Sequence, residues 1–364
     1  MRGRMQSIDF LKGIAILMVI LVHSSQKIVG MPEIIYRITS WGETGCQLFF
    51  VLSGYLLTYS WQQRQRSIKD FYWSRWLSIG PAFYLAITFW VTVGYIQYFV
   101  DYSKGFPVNG SVSAIVANIL LLNGLFADAN NNVVPGGWFI GALVILYLMY
   151  PILNKAIYCL YIRARVLLAG FVLLLYGLSK GAFGIYNYGY LEGFVLNAYS
   201  FIHQLPCFAM GIILCYFVLE YEEQITGKKK EIVIFTLGLL FLQVYAFYHL
   251  PIPEKNLISS TSFCSICFLA HLYDDQKKNA LGYQIADIGK VSYEIYFIHF
   301  FFVWYLMPIG QKYILMISDD CIWQVIYYLF SLCVSTLIVY KLAFYYHGFL
   351  ENVRKNCRCT EDRG

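Results

Sequence analysis

The chain has 364 residues, of which 59% are apolar and only 13% are charged, and its mean hydropathy is +0.57. A soluble domain would carry about 25% charged residues, so the composition excludes an ordinary soluble protein. The formal net charge of +6 comes from short basic clusters, a pattern that does not indicate a nucleic-acid partner. We therefore predict an all-α integral membrane protein whose surface contacts the lipid bilayer.

Apolar runs of membrane-spanning length recur along the chain and predict about ten transmembrane helices. In chain order they cover 8–29, 43–61, 77–100, 138–160, 165–180, 198–219, 232–249, 257–273, 291–314 and 324–346. An eleventh run, 114–127, is short and polar at both ends, and we predict that it forms a re-entrant or interfacial helix.

The distribution of basic residues predicts the orientation of these helices. If 114–127 does not cross the membrane, every basic cluster falls on one side, and the positive-inside rule places both termini in the cytoplasm. The clusters contain Arg64, Arg66, Lys69, Arg75, Arg163, Arg165, Lys228, Lys229, Lys230, Lys277, Lys278, Lys290, Arg354, Lys355 and Arg358. We expect a transmembrane domain over residues 1–350 and a basic cytoplasmic tail over 351–364.

The first predicted span carries three polar residues on one face. Lys12 and His23 are eleven residues apart, which is about three helical turns and about 16 Å along the axis, and Asp9 precedes Lys12 by three residues. Ionisable groups inside a membrane helix are costly, and they usually mark a polar cavity. An imidazole can take a proton from an alcohol near neutral pH, although a core histidine satisfied by a neighbouring helix is the simpler alternative.

Three later segments hold further candidates. Arg75, at the cytoplasmic entry of the third span, could bind phosphate groups of a cofactor or act only as a topology anchor. Ser53, in the second span, is one of two adjacent small residues that permit close helix packing. Tyr293 and His299 fall in the ninth span and could line a pocket, and Glu294 beside them is expected to be an unpaired acid.

Ten cysteines are scattered along the chain, and we expect no metal site among them. Cys264 and Cys267 form a C-x-x-C pair, but the pair lies in an apolar helix without a second pair. Buried thiols that act as small hydrophobic groups are the simpler interpretation.

Taken in order, five segments resemble the type-3 integral-membrane acyltransferase family. The family's first span carries an Arg, ten residues and then a His, and here Lys12 and His23 take these positions. The other four segments are 49–55 (FFVLSGY), 71–81 (FYWSRWLSIGP), the block Trp138-Phe-Ile with Tyr147 and Pro151, and 288–299 (IGKVSYEIYFIH). The resemblance covers about residues 5–350.

The resemblance implies an integral-membrane O-acyltransferase, most simply an O-acetyltransferase of a cell-surface polysaccharide or its lipid-linked precursor in the bacterial inner membrane. Acetyl-CoA would be the cytoplasmic acyl donor and the glycan the acceptor. His23 and Asp9 would be catalytic, and Lys12 and Arg75 would bind the donor. The resemblance further implies a set of substrate-binding residues: Ser53, Tyr55, Trp138, Tyr293 and His299.

The sequence departs from the family pattern at several positions. Lys12 replaces the usual Arg, Ser78 replaces the second Arg of the cytoplasmic pair, and Gly141 lies where some members carry a Glu. Many members also carry a fused extracytoplasmic esterase-like domain, which we do not expect here. A glycan permease or flippase without acyl transfer is the alternative function, and paired broken helices in inverted repeats would favour it.

Overall fold

The computed structural model describes residues 5–63, 67–100, 111–273, 280–315 and 320–361. Within these ranges the chain is α-helical, and no β-strand is present beyond an isolated bridge between Phe126 and Phe194. The predicted all-α class is confirmed over this part of the chain. Several predicted topology residues lie outside the described set: Arg64, Arg66, Lys277 and Lys278, and the side chains of Arg354, Lys355 and Arg358.

The helices are numbered in chain order. They are α1 (Gln6–Ser25), α2 (Glu33–Ser40), α3 (Gly45–Gln63), α4 (Ile68–Val100), α5 (Val112–Ile119), α6 (Ala127–Asn130), α7 (Gly137–Arg163), α8 (Arg165–Asn187), α9 (Phe201–Ile225), α10 (Lys229–His249), α11 (Ile252–Leu272), α12 (Ala280–Lys290), α13 (Ser292–Phe301), α14 (Met307–Leu315) and α15 (Cys321–Glu361). A π-helical turn, Phe302–Leu306, joins α13 to α14.

Seven helices of the described chain are long and apolar enough to cross a membrane: α1, α4, α7, α8, α9, α10 and α15. The protein is therefore a multi-pass membrane protein. Two further predicted spans form long helices, α3 and α11, but both are richer in polar residues, such as the run from Ser259 to Ser262. The predicted span 291–314 is divided into α13, the π-helical turn and α14.

The eleventh apolar run, 114–127, does not form one continuous helix. It comprises most of α5, a turn through Asn123 and Gly124, and the start of α6. A helix of eight residues, such as α5, is about 12 Å long and cannot cross a hydrocarbon core of about 30 Å. Buried asparagines hold this region together: the side-chain NH₂ of Asn118 donates to the carbonyl of Ala129 at 3.0 Å, and that of Asn123 donates to Gly137 at 2.8 Å.

The chain divides into two compact units. The terminal unit combines Met1–Phe49 with Leu269–Gly364, and the middle unit is Phe50–Phe268. In the terminal unit, α1 packs along α12. A Cβ atom placed on Gly289 would overlap the backbone carbonyl oxygen of Asp9, and one placed on Gly13 would overlap that of Ile285. Only glycine at these positions allows the two backbones to approach so closely.

The residues that follow α1 are fixed by packing within the terminal unit. Ile28 is buried against Val303, Met307 and Tyr328. The hydroxyl of Tyr328 also donates to the carbonyl of Leu21 at 3.0 Å. Since Leu21 lies within the last turn and a half of α1, this contact ties that end of α1 to α15.

In the middle unit, α7 packs against α4, α8 and α9. The helices α3 and α9 approach closely at Gly54 and Gly211, where an added Cβ would overlap the carbonyl oxygen of Phe208 or of Val51. This agrees with the prediction that the small residues of the second span permit close helix packing.

Candidate active site

His23 lies in the last turn of α1, where the helix ends and its side chain is only partly buried. Its Nδ1 is 3.1 Å from Oε1 of Gln26, the residue that caps the helix. A carbonyl oxygen can only accept a hydrogen bond, so Nδ1 carries the hydrogen of the neutral ring. Nε2 is then the basic nitrogen, with a lone pair that can accept a proton.

The ring of His23 stacks on the ring of His299 from α13, with 5.6 Å between ring centroids and 28° between planes. Phe300 completes the contact, 4.8 Å from the His23 ring and 4.1 Å from the His299 ring. His299 is only 1% exposed. The sequence resemblance assigned these two histidines separate roles, and the fold makes them neighbours.

His299 has the same hydrogen-bonding pattern as His23. Its Nδ1 lies 3.2 Å from the carbonyl oxygen of Ile295, one turn earlier in α13, and therefore carries the hydrogen. Its Nε2 is buried and has no hydrogen-bond partner within the part of the chain that the structure describes.

The segment directly after His23 is held by a buried pair of glutamines. Gln311 accepts a hydrogen bond from the backbone N–H of Val29 at 3.1 Å and donates one to the carbonyl of Val29 at 2.7 Å. It also donates to Oε1 of Gln324 at 2.7 Å. The two glutamines thus anchor this turn to α14 and α15, and the turn follows directly on the residue that orients His23.

Asp9 and Lys12 form an ion pair near the start of α1, with Nζ of Lys12 3.5 Å from Oδ1 of Asp9. The Asp9 side chain is 3% exposed and the Lys12 side chain 27% exposed. The i,i+3 spacing brings both groups to one face of the helix. Each charge reduces the free-energy cost of burying the other away from water.

Arg75 and Ser53, which the sequence predicted for different roles, contact the same side chain. Each hydrogen-bonds with the hydroxyl of Tyr147 in the middle unit. The guanidinium carbon of Arg75 lies 6.0 Å from the centroid of the Tyr147 ring. Nε of Arg75 is buried and makes no hydrogen bond to any residue that the structure describes. Arg75 therefore keeps a donor for an anionic group.

Local packing explains why Arg75 reaches α7. The hydroxyl of Tyr72, one turn before Arg75, donates to the carbonyl of Leu148 at 2.8 Å. The ring of Phe71 stacks on Tyr150 with 5.2 Å between centroids. Two aromatic anchors thus fix the first turns of α4 on α7.

The other predicted substrate-binding residues lie in different surroundings. Tyr55 is 1% exposed and lies beside Tyr59 in α3. Trp138 is partly exposed, with its ring 5.0 Å from that of Tyr199. Tyr293 is partly exposed and contacts the ring of Phe297.

The expectation that Glu294 is an unpaired acid is wrong. Nδ1 of His347, from α15, lies 2.8 Å from Oε1 of this buried carboxylate, and Glu351 lies 3.6 Å from Nε2 of the same ring. No sequence spacing links α13 to α15, so only the fold could reveal the pair.

Sequence reasoning also missed Gln26, Gln311 and a site role for Tyr147. Gln26 was detectable in principle, because it lies three residues after His23 in the same helical register. Among the described residues, no three His, Cys, Asp or Glu side chains come together to hold a metal ion.

Comparison with known proteins gave one match. A family model described as an acyltransferase domain matches residues 5–340. No curated protein and no solved structure matched the chain. The match covers nearly the whole chain and confirms the resemblance that the sequence motifs indicated.

Proposed function

The chain belongs to the type-3 acyltransferase family, and on that premise we propose that it is a membrane-bound O-acetyltransferase of the bacterial inner membrane. It transfers an acetyl group from cytoplasmic acetyl-CoA to a hydroxyl of a cell-surface polysaccharide or its lipid-linked precursor. The observation that carries this proposal is the state of His23: a partly exposed imidazole whose Nδ1 is engaged and whose Nε2 is left as a base.

In the proposed reaction, Nε2 of His23 removes the proton of the acceptor hydroxyl as its oxygen attacks the thioester carbonyl. The carbon–oxygen ester bond forms and the carbon–sulfur bond breaks. The proton held on His23 then passes to the departing CoA thiolate, so His23 returns to its starting state. Gln26 keeps the ring in the tautomer that this step needs.

The two predicted donor-binding cations have a separate role in this proposal. Lys12 and Arg75 each offer a positive group to the phosphates of the donor. Asp9 holds the Lys12 ammonium in place through their ion pair. Ser53 and Tyr147 position the Arg75 guanidinium. Tyr55, Trp138 and Tyr293 contribute to substrate binding.

We further propose ten membrane crossings with both termini in the cytoplasm. Seven of the crossings are the apolar helices named above, and the other three are α3, α11 and the run from α13 to α14. This arrangement leaves all basic clusters on the cytoplasmic side. It puts Asp9 and Lys12 in the cytoplasmic half of α1 and His23 about 16 Å further out.

Transfer by the purified protein in lipid nanodiscs tests the proposal. Acetyl-CoA, succinyl-CoA and longer acyl-CoA donors are supplied together with surface glycan extracted from cells that lack the protein. The expected result is incorporation of acetyl groups into the glycan, seen as an acetyl-sized mass increase. Uptake of glycan into sealed proteoliposomes that contain the protein, without incorporation from any donor, would instead identify the permease alternative.

A further inference from the structure

The nitrogen atoms of the two stacked histidines are unequally satisfied. Both Nδ1 atoms are engaged, one by Gln26 and the other by Ile295. His299 Nε2, by contrast, is a buried acceptor that no described residue satisfies. Buried polar atoms in folded proteins are almost always hydrogen-bonded, and an exception calls for a ligand, a water molecule or a catalytic role.

Another buried histidine shows how the same protein satisfies an imidazole that serves only structure. His203 is 0% exposed, and both of its ring nitrogens are engaged. Its Nε2 donates to the carbonyl of Leu196 at 3.1 Å, and its Nδ1 accepts from the hydroxyl of Ser179 at 2.7 Å. Burial alone therefore does not leave an imidazole nitrogen of this protein unsatisfied.

The backbone around His299 is also unusual. The helix that carries it changes from α to π geometry at Phe302, three residues after His299. Such π-helical turns are rare and are frequently found at functional sites. The distortion therefore begins in the turn that directly follows His299 in the chain.

We propose that His299 is a second catalytic residue, which contacts the acceptor through its Nε2; this inference rests on the proposed function. The acceptor presents two neighbouring hydroxyl groups. One gives its proton to Nε2 of His23 and becomes the ester. The other donates a hydrogen bond to Nε2 of His299 and is not acylated. The substrate class is then a polyol with adjacent hydroxyls, such as a sugar ring, rather than a simple alcohol.

The stacking of the two rings supports this assignment. His23 is partly exposed, so an acceptor can reach it, and the ring of His299 lies directly against it. With Nε2 of His23 occupied by the reacting hydroxyl, we place the neighbouring hydroxyl at the second free acceptor of the pair, Nε2 of His299. In this arrangement His299 stays neutral through the reaction, and the proton balance described for His23 is unchanged.

Two near-isosteric variants separate this role from a structural one. In His299→Asn, the amide NH₂ replaces Nδ1 and can still bond Ile295, but nothing replaces Nε2. In His299→Gln, the longer side chain places an amide oxygen near Nε2, where it can accept a hydrogen bond but cannot act as a base. His23→Gln and His203→Gln are the comparison variants.

The assay uses purified protein in nanodiscs, acetyl-CoA as donor and surface glycan extracted from cells that lack the protein. Rates are normalised to folded protein recovered by size-exclusion chromatography. We expect His299→Asn to lower kcat/KM for the glycan about tenfold or more, because one substrate hydrogen bond is lost. KM for acetyl-CoA should not change. His299→Gln should keep most of the transfer, whereas His23→Gln should lose it.

Equal rates for His299→Asn and the wild type would overturn the proposal and leave a bound water as the partner of Nε2. Equal losses in the Asn and Gln variants, or a raised KM for acetyl-CoA, would also overturn it. His203→Gln should lower only the yield of folded protein; a comparable loss of rate per folded molecule would show that the assay reports general damage. A wild-type protein that transfers nothing would instead refute the proposed function itself.

Discussion

At the scale of the residue, single oxygen atoms decide the chemistry of the two histidines. The Oε1 of Gln26 and the carbonyl of Ile295 each accept from an Nδ1, and this leaves both Nε2 atoms as bases. A neutral imidazole in this tautomer can take a proton from a hydroxyl without a conformational change. The proposed donor-binding roles of Lys12 and Arg75 follow from their positive charge. Asp9 holds the first cation and Tyr147 holds the second.

The first prediction concerns His23. A positioned general base contributes about 10²–10⁴ in rate, so His23→Ala should lose transfer activity by about that factor. The membrane abundance of the variant should stay near normal, because the side chain is only partly buried. Incorporation of radiolabelled acetyl groups into glycan, together with immunoblotting, measures both. Full transfer activity in this variant would refute the mechanism.

The second prediction concerns the ion pair at the start of α1. Lys12→Arg keeps the charge and should keep substantial activity, whereas Lys12→Ala removes the cation beside the buried Asp9 carboxylate and should lower abundance as well as activity. The double variant Asp9→Asn/Lys12→Gln should recover abundance but not activity. Recovery of both would show that the pair serves folding alone.

The third prediction concerns Arg75. If its guanidinium binds donor phosphates, Arg75→Ala should raise KM for acetyl-CoA about ten- to hundredfold, as expected for loss of a charged hydrogen bond. Tyr147→Phe removes only the hydroxyl that holds Arg75 and should have a smaller effect in the same direction. Lys69, an exposed cation in the first turn of α4, is the matched control. An equal effect of Lys69→Ala would show that Arg75 does not bind the donor and serves only as a topology anchor.

At the scale of the element, the close approach of α1 and α12 sets the position of the helix that carries Asp9, Lys12 and His23. At Gly13 and Gly289 the backbones of the two helices are in direct contact, so no intervening side chain can move aside to make room for a larger residue. The turn after α1 is then fixed by Gln311, and the same end of α1 is tied to α15 by Tyr328. Both ends of the proposed catalytic helix are therefore held within the terminal unit.

The fourth prediction tests this packing. Gly289→Ala adds a methyl group that overlaps the carbonyl of Asp9, and overpacking of this kind costs about 1–3 kcal/mol. We expect a lower thermal unfolding temperature and less folded protein in detergent. Gly177→Ala is the control, because an added Cβ meets no atom within 4 Å there. Equal stability of the two variants would contradict the close approach.

At the scale of the whole molecule, the length of α15 bears on the proposed topology. The helix has 41 residues, so it is about 60 Å long, roughly twice the hydrocarbon thickness. Its apolar part covers Cys321–Asn352, and the basic end of the chain follows. In the proposed ten-span arrangement, we therefore expect the two ends of α15 to lie on opposite sides of the membrane.

The fifth prediction uses two cysteines near those ends. Cys321 is exposed and follows Asp320 at the start of α15, whereas Cys357 lies among the basic residues near its end. In variants that retain only one of the two, a membrane-impermeant thiol reagent on intact cells should label Cys321 and spare Cys357. Labelling of Cys357 under these conditions would overturn the ten-span orientation.

The sequence by itself determined the class of the protein and the contacts within single helices. Long apolar runs in a membrane must form helices, because lipid offers no partner to backbone N–H and C=O groups. Helical periodicity then placed Asp9 beside Lys12. The family followed from motifs in fixed order, and the comparison confirmed it.

Only the tertiary structure decided which helices face each other. It stacked His23 on His299, joined Ser53 and Arg75 through Tyr147, and paired Glu294 with His347. Periodicity says which face a residue occupies, but it carries no information on the helix that packs against that face. That choice depends on where backbones can approach, as at Gly13 and Gly289, and on which buried polar groups can satisfy one another.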